Sequence, residues 1–206
     1  MTVGVIVAME REVEALKKSG FSGNVVCSGI GKVNAAIAAT ELILTAKPDY
    51  IINTGCAGSV VSSVKVRDFV VASQTIFHDI WCGPQTAKMF SIPERFDADS
   101  FLIEAAEKAL QGCKYHKGLI ATGDQFFVSL EEDQRLLRQN PDILACDMES
   151  AAIAQVCYHY NVPFLSLRAI SDEHTSDEVQ RQSYKQYWDS INSKSFEVLK
   201  KLVESL

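Results

Sequence analysis

Three carboxyl side chains occur near the ends of apolar runs in this chain. Glu12, Glu149 and Asp172 each stand at or shortly after the end of such a run. Continuous apolar runs in an α/β chain are typical of strands buried on both faces, and ligands bind at the carboxyl ends of such strands. Carboxyl groups that converge on one pocket are suited to proton transfer. The pattern therefore predicts acid–base chemistry on a small molecule.

The elements that must position these groups alternate between strand and helix. We expect an α/β fold, a three-layer αβα sandwich with a mixed, mostly parallel central sheet, in a single domain over residues 1–206. Ser100 is a plausible N-cap, and residues 83–98 have no clean period. The predicted strands are 2–9, 24–27, 50–54, 68–73, 74–80, 115–122, 143–146 and 164–170, and the predicted helices are 10–18, 32–46, 100–110, 130–139, 149–160 and 183–206.

Composition excludes several classes of function. The chain has 206 residues, of which 47% are hydrophobic and 22% charged, with a net charge of −6. An acidic protein without a basic stripe repels phosphate backbones, so we expect no nucleic-acid partner. The apolar runs are too short to span a bilayer, and the N-terminus lacks the features of a signal peptide. We therefore expect no membrane partner, a cytoplasmic location and reduced cysteines.

Two glycine-rich turns invite nucleotide-binding interpretations that fail. In the turn at residues 28–32, a phosphate loop would need glycine where Val26 stands and Ser or Thr where Val33 stands. A dinucleotide fingerprint would need glycine at Asn34. The second turn, at 55–58, also lacks a third glycine, but its small residues would let backbone approach a ligand.

Nucleophile and metal motifs are weak as well. Cys56 lies between glycines, but a thiol nucleophile needs a base that sequence cannot show, and a small residue packed in a turn is the simpler interpretation. No serine stands in a Gly-x-Ser-x-Gly elbow. The acidic run at 172–178 reads as a solvated loop, so we expect no metal. The histidines lack zinc-ligand spacing, although His78 and Asp79 could form a local polar pair.

Six segments of the chain together resemble a known family. In order, they are similar to segments of the bacterial 5′-methylthioadenosine/S-adenosylhomocysteine nucleosidases of the nucleoside phosphorylase superfamily. The resemblance implies hydrolysis of the N-glycosidic bond of 5′-methylthioadenosine and S-adenosylhomocysteine, with 5′-deoxyadenosine as a further substrate, to adenine and a 5-thioribose. It also implies methionine salvage and a homodimer. The segments are Ala8-Met9-Glu10-Arg11-Glu12-Val13, Ser28-Gly29-Ile30-Gly31-Lys32, Asn53-Thr54-Gly55-Cys56-Ala57-Gly58, Gly123-Asp124-Gln125-Phe126-Phe127, Asp147-Met148-Glu149 and Arg168-Ala169-Ile170-Ser171-Asp172.

The same resemblance implies a role for each matching residue. Glu12 would be the general base that activates water, and Asp172 the general acid that protonates N7 of the leaving adenine. Glu149 would hold the ribose hydroxyls, with Met148 packed against the sugar. The other implied contacts are Arg168 with the water and carboxylates, Phe126 stacked on the purine, the Phe127 backbone at the adenine edge, Cys56 and Gly58 beside the ribose, Met9 and Ile30 at the 5′-alkylthio group, Ser171 at the acid, and Tyr184 over the site.

The chemistry asks for these residue types independently. Glycosidic cleavage develops positive charge on the sugar and negative charge on the base, so the leaving base needs a proton donor and the water needs a carboxylate. No cofactor is required. A phosphorylase would need arginines near the glycine turns, where Arg11 and Arg67 are the nearest candidates. The sequence is therefore consistent with hydrolysis rather than phosphorolysis.

Several alternatives remain open at this stage. A futalosine-type nucleosidase, a purine nucleoside phosphorylase and a non-catalytic nucleoside-binding protein would share the same fold. Glu12 and Glu149 could be ordinary first-turn carboxylates, Phe126 could belong to the core, and Asp172 could be a structural ion-pair partner. Cys56 also stands where members of the family commonly carry Ser, which bears on the substrate range.

Overall fold

The computed structural model describes residues 1–80, 93–126, 129–173 and 194–206. These residues form eight strands and six helices that alternate along most of the chain. The strands are β1 (Val3–Val7), β2 (Asn24–Cys27), β3 (Tyr50–Ser59), β4 (Phe69–Phe77), β5 (Phe96–Asp97), β6 (Tyr115–Thr122), β7 (Ile143–Asp147) and β8 (Phe164–Glu173). The helices are α1 (Glu10–Lys18), α2 (Lys32–Ala46), α3 (Ser100–Ala109), α4 (Leu130–Gln139), α5 (Ser150–Tyr160) and α6 (Lys194–Glu204).

All the strands belong to one mixed sheet, part of which closes on itself. β3 pairs in parallel with β1 and β8, β8 pairs antiparallel with β4, and β4 pairs in parallel with β6. β6 pairs in parallel with β7, which returns antiparallel to β3 at Gly58 and Ser59. Five strands therefore form a closed ring, to which β1, β2 and β5 are added. The prediction of an α/β fold with a mixed, mostly parallel sheet is confirmed, and the ring is a feature that it did not include.

Helices cover the sheet on two sides and bury separate apolar clusters. On one side α1, α3 and α6 pack over β1, β3, β4 and β8, where Leu16, Leu102 and Leu199 are fully buried. On the other side α2 and α5 pack together over Ile6 and Ile51. None of the described helices is long and apolar enough to cross a membrane.

Three of the predicted element boundaries are wrong for identifiable reasons. The strands predicted at 68–73 and 74–80 are one strand, because a register shift between Ala72 and Gln74 absorbs the polar residues without ending the pairing with β6. The N-cap of α3 is Asp99 rather than Ser100, since the Asp99 carboxylate accepts from the Leu102 N–H at 3.1 Å.

The third difference concerns the glycine-rich stretch after Thr54. The strand does not stop there but runs on through Gly55 to Ser59, because this stretch pairs with β8. β8 is correspondingly longer than predicted and reaches Glu173. Most of the irregular segment at 83–98 and the first part of the last predicted helix lie outside the described residues.

Candidate active site

One pocket collects the carboxyl groups that the sequence analysis singled out. It opens where β3, β7 and β8 meet the starts of α1, α2 and α5. Glu12, Glu149 and Asp172 all line it, although each is at least 96% buried. Arg168 lines the same pocket. The remaining lining residues are Ala8, Met9, Ile30, Cys56, Ala57, Gly58, Gln125, Phe126, Cys146, Asp147, Met148 and Ser171.

A buried arginine organises the floor of this pocket. Arg168 Nη2 lies 2.7 Å from Asp147 Oδ2 and 3.4 Å from Glu149 Oε2, and it donates to Asn53 Oδ1 at 2.5 Å. Ser150 Oγ accepts from the same nitrogen at 3.1 Å and also bonds to Asp147. A buried charge is tolerated only when it is paired and hydrogen-bonded. The network therefore fixes the guanidinium and both carboxylates in one geometry.

Glu12 caps helix α1 and faces the pocket with the same carboxylate. Its Oε2 accepts from the backbone N–H groups of Ala8 at 3.0 Å and Met9 at 2.9 Å, so it is a first-turn carboxylate as the alternative interpretation supposed. It is not solvated, however, because only 1% of its surface is exposed. Burial raises the pKa of Glu12 above 4.5, and the opposing effects of the Arg168 guanidinium and the backbone N–H groups do not cancel the rise.

Glu149 receives a hydrogen bond from the start of a different helix. Its Oε1 accepts from the Gly31 N–H, which precedes α2, at 3.1 Å. It makes no side-chain cap of its own helix α5, where Asp147 instead accepts from the Glu149 and Ser150 N–H groups. Burial raises the pKa of Glu149 to about 7, against the lowering effect of Arg168.

Asp172 owes its orientation to an irregularity in β8. Ala57 of β3 pairs with Ile170 and the next residue, Gly58, pairs with Asp172, so Ser171 is an extra residue in the ladder. Such a bulge breaks the alternation of side chains, and here both Ser171 and Asp172 line the pocket. The Ser171 hydroxyl donates to Asp172 Oδ1 at 2.5 Å.

The rest of the pocket is mostly apolar and includes an exposed aromatic ring. Phe126 is 48% exposed at the pocket, so the core interpretation does not hold for it. Met9, Ile30 and Met148 add flexible or branched apolar surface. Two further predicted contacts, Phe127 and Tyr184, lie outside the described residues.

Cys56 lines the same pocket as a neutral thiol. Burial raises its pKa far above the ordinary value, and the nearby Glu12 carboxylate acts in the same direction. A thiol nucleophile needs the opposite shift. Cys56 is therefore a lining residue and not an activated nucleophile.

Sequence reasoning missed the residues that support the carboxylates. Asp147 accepts from Thr122 Oγ1 at 2.5 Å and pairs with Arg168, while Asn53 Nδ2 bonds to the Ile6 carbonyl at 3.0 Å. The sequence contains one indication of these residues, since Asn53, Thr122 and Asp147 are polar side chains that each follow an apolar run. The described residues contain no group of three or more His, Cys, Asp or Glu side chains that could hold a metal ion.

Comparison with known proteins shows the family to which the chain belongs. The profile described as "Phosphorylase superfamily" matches residues 23–204. A 5′-methylthioadenosine/S-adenosylhomocysteine nucleosidase of Shewanella loihica is 39% identical over 86% of this chain and 88% of its own length. The chain belongs to this nucleosidase family.

Solved structures show the same relationship at the level of the fold. The nucleosidase of Neisseria meningitidis, in complex with methylthio-immucillin-A, superposes with a TM-score of 0.89 and 33% identity, over 100% of this chain and 99% of that one. Futalosine hydrolase of Helicobacter pylori superposes with a TM-score of 0.87 and 26% identity, over 100% and 98% of the two chains. The fold is thus shared by enzymes that are named for different substrates.

Proposed function

We propose that this protein hydrolyses the N-glycosidic bond of 5′-methylthioadenosine and S-adenosylhomocysteine, releasing adenine and the 5-thioribose product. The observation that carries the proposal is that Glu12 and Asp172, from elements far apart in sequence, line one pocket together with Glu149 and Phe126. The membership of the family and the relatives' named substrates support it. We propose 5′-deoxyadenosine as a further substrate, and the apolar side chains of Met9 and Ile30 in the pocket support this, because they would contact a 5′-methyl group as well as a thioether.

Protonation of the leaving adenine is assigned to Asp172. Adenine departs readily only when a ring nitrogen gains a proton, and in this proposal the Asp172 carboxyl donates it to N7. The Ser171 hydroxyl holds one carboxyl oxygen at 2.5 Å and so leaves the orientation of the acid fixed. Phe126 stacks on the departing purine. Phe127, which is outside the described residues, stays a proposed contact of the adenine edge on the strength of the family resemblance alone.

Activation of the attacking water is assigned to Glu12. A carboxylate becomes a better base as its pKa approaches the working pH, and burial raises the pKa of Glu12 in that direction. Two backbone N–H groups hold the carboxylate in place, which removes the need for it to reorganise during the reaction. Arg168 positions the neighbouring carboxylates around the water.

The sugar is assigned to the centre of the pocket. Glu149 accepts hydrogen bonds from the ribose hydroxyls while its Oε1 also accepts from the Gly31 N–H. Met148 packs against the sugar ring. Cys56 and Gly58 lie beside the ribose. Met9 and Ile30 wall the 5′-alkylthio group. Tyr184, which is outside the described residues, stays a proposed substrate contact on the strength of the family resemblance alone.

Hydrolysis is favoured over phosphorolysis by the charges in the pocket. Within the described part of the chain, Arg168 is the one cationic side chain that lines the pocket, and its guanidinium already bonds to Asp147. A phosphate dianion would need free cations or N–H groups. We therefore assign water as the nucleophile.

The decisive experiment is adenine release from a panel of nucleosides in buffers with and without phosphate. We expect release from 5′-methylthioadenosine and S-adenosylhomocysteine at a rate that phosphate does not change. A requirement for phosphate would make the protein a phosphorylase. Cleavage of futalosine alone would make the protein a futalosine hydrolase. Tight nucleoside binding without adenine release would make it a binding protein.

We further propose a homodimer, a cytoplasmic location and a role in methionine salvage. The homodimer is supported by exposed apolar side chains on α2, where Val33, Ile37 and Leu44 are each at least 52% exposed. The free thiols among the described cysteines fit a reducing compartment. Light scattering tests the dimer, and a single-chain mass would contradict it.

A further inference from the structure

Two charged side chains within motifs identified in the sequence, Lys32 and Asp79, have no assigned part in the chemistry above. The turn at residues 28–32 ends in Lys32, and the strand β4 is followed by the pair His78-Asp79. In the structure these two segments meet the loop at 123–126, which carries Gln125 and Phe126 into the pocket. Their contact is made by charged side chains that do not themselves line the pocket.

The contact is a closed set of charge-assisted hydrogen bonds. Lys32 Nζ lies 2.8 Å from Asp79 Oδ1 and 2.7 Å from Asp79 Oδ2. The Asp124 N–H donates to Asp79 Oδ2 at 2.9 Å, and Asp124 Oδ1 accepts from the Lys32 N–H at 2.8 Å. Each of the three residues is therefore bonded to the other two. We call Lys32, Asp79 and Asp124 the tether.

The tether joins two parts of the proposed substrate site. The Lys32 N–H bonds to Asp124, and the preceding N–H, from Gly31, bonds to Glu149. On the other side Asp124 is two residues from Phe126. A shift of Asp124 would therefore move the purine-stacking ring and the partner of the ribose-binding carboxylate together.

The surrounding packing leaves little room for the loop to sit elsewhere. A Cβ atom at Gly123 would lie 2.3 Å from the His78 ring, and one at Gly31 would lie 3.0 Å from Asp124 Oδ1. Lys32 Nζ also lies 5.6 Å from the centre of the Phe77 ring. Partial burial opposes the ionisation of Asp79, but the Lys32 ammonium and the Asp124 N–H together hold the pKa of this carboxyl below its usual value, so Asp79 is charged at neutral pH.

We propose that Lys32, Asp79 and Asp124 are positioning residues that set the affinity for the nucleoside by holding Phe126 and the Gly31 N–H at the pocket. This inference rests on the proposed nucleosidase function. The tether touches neither Glu12 nor Asp172 in its hydrogen bonds, so it acts on binding and not on proton transfer.

The test is the division of the effect between KM and kcat for 5′-methylthioadenosine. In Lys32→Met we expect KM to rise about tenfold, the equivalent of one charge-assisted hydrogen bond, with kcat within about twofold of the original. The dissociation constant of adenine, measured by calorimetry, rises with it because the stacking ring is misplaced. Lys32→Arg keeps the charge and restores most of the lost affinity.

A matched ion pair elsewhere separates positioning from general stability. Lys117 pairs with Glu107 at 3.0 Å, away from the pocket, so Lys117→Met removes a comparable surface pair and leaves KM unchanged. Asp79→Asn is a milder second variant that keeps the shape of the side chain, and its effect is not additive with that of Lys32→Met.

The outcomes distinguish the two proposals. If the unaltered protein releases no adenine from any nucleoside, the proposed function fails. If it does release adenine but Lys32→Met and Asp79→Asn leave KM and adenine affinity within about twofold, the tether is only structural and the inference is overturned. A fall in kcat at constant KM would overturn it equally.

Discussion

Glu12 combines a structural task with the proposed chemical one. Its carboxylate holds the first turn of α1 and is buried beside Arg168 at the pocket. A carboxylate that caps a helix stabilises the fold whether or not it transfers protons. The two tasks can be separated because an amide oxygen still accepts from N–H groups but does not take up a proton.

We expect Glu12→Gln to lose about 10²- to 10⁴-fold in turnover, the usual contribution of a general base, with a small change in melting temperature. Adenine release and thermal unfolding measure the two effects. Glu10→Gln, on an exposed position of the same turn, is the control and retains full activity. A rate close to normal in Glu12→Gln would remove Glu12 from the mechanism.

The thiol of Cys56 provides a second test at the residue scale. Because burial raises the pKa of this thiol, it stays protonated across the physiological range and does not attack the substrate. We expect Cys56→Ala to keep kcat within about an order of magnitude of the original, whereas loss of a covalent nucleophile would abolish turnover. The result is read from single-turnover adenine release.

At the scale of elements, the residue type at Gly55 of β3 is determined by the side chains of Glu12 and Arg168, which pack against the strand there. Gly55 has φ +139°, and a Cβ atom there would lie 2.6 Å from Glu12 Oε1 and 3.1 Å from Arg168 Nη1. Only a residue without a side chain allows both groups to approach the strand at this point. The glycine therefore belongs to the site although it supplies no functional group.

We expect Gly55→Ala to destabilise the fold by about 1 to 3 kcal/mol and to reduce turnover sharply, because Glu12 must move. Gly112→Ala is the matched control. Gly112 also has positive φ, +80°, but a Cβ atom there would have no neighbour within 4 Å, so its replacement adds strain without displacing another group. Equal activity losses in the two variants would contradict this account.

Prediction from sequence succeeded where local signals decide the structure. The bounds of α1, α2 and α4 match because charge pattern, Pro48 and polar caps act over a few residues. The continuous strand β4 was missed because its bulge depends on pairing with β6. The closed ring and the Asp147–Arg168 pair depend on segments far apart in the chain, which periodicity does not report.

At the scale of the whole molecule, the buried acidic groups make stability depend on pH. The folded-state pKa of Glu149 is about 7, above the value near 4.5 of a free glutamate. The stability that its bound proton contributes is therefore fully present below about pH 4.5 and is lost as the pH rises through 7. Each pKa unit between the folded and the unfolded state corresponds to about 1.4 kcal/mol in the free energy of unfolding.

We expect Glu149→Gln to gain stability relative to the original protein by roughly 2 to 3 kcal/mol between pH 4.5 and pH 8, because the amide never acquires the buried charge. Urea unfolding at the two pH values measures the difference. Glu41→Gln, at an exposed position of α2, is the control and shows no such trend. A difference that does not vary with pH would contradict the raised pKa.

Ring closure also has a consequence for uncontrolled pairing between the strands of different molecules. A sheet normally ends in two strands with unsatisfied backbone groups, which invite pairing with another molecule. Here, among the described residues, only β2 and β5 occupy such outer positions, and they are four and two residues long. β8, which bears Arg168 and Asp172, pairs with β3 on one side and with β4 on the other, so a strand of another molecule finds no free edge beside these two side chains comparable to that of an open sheet.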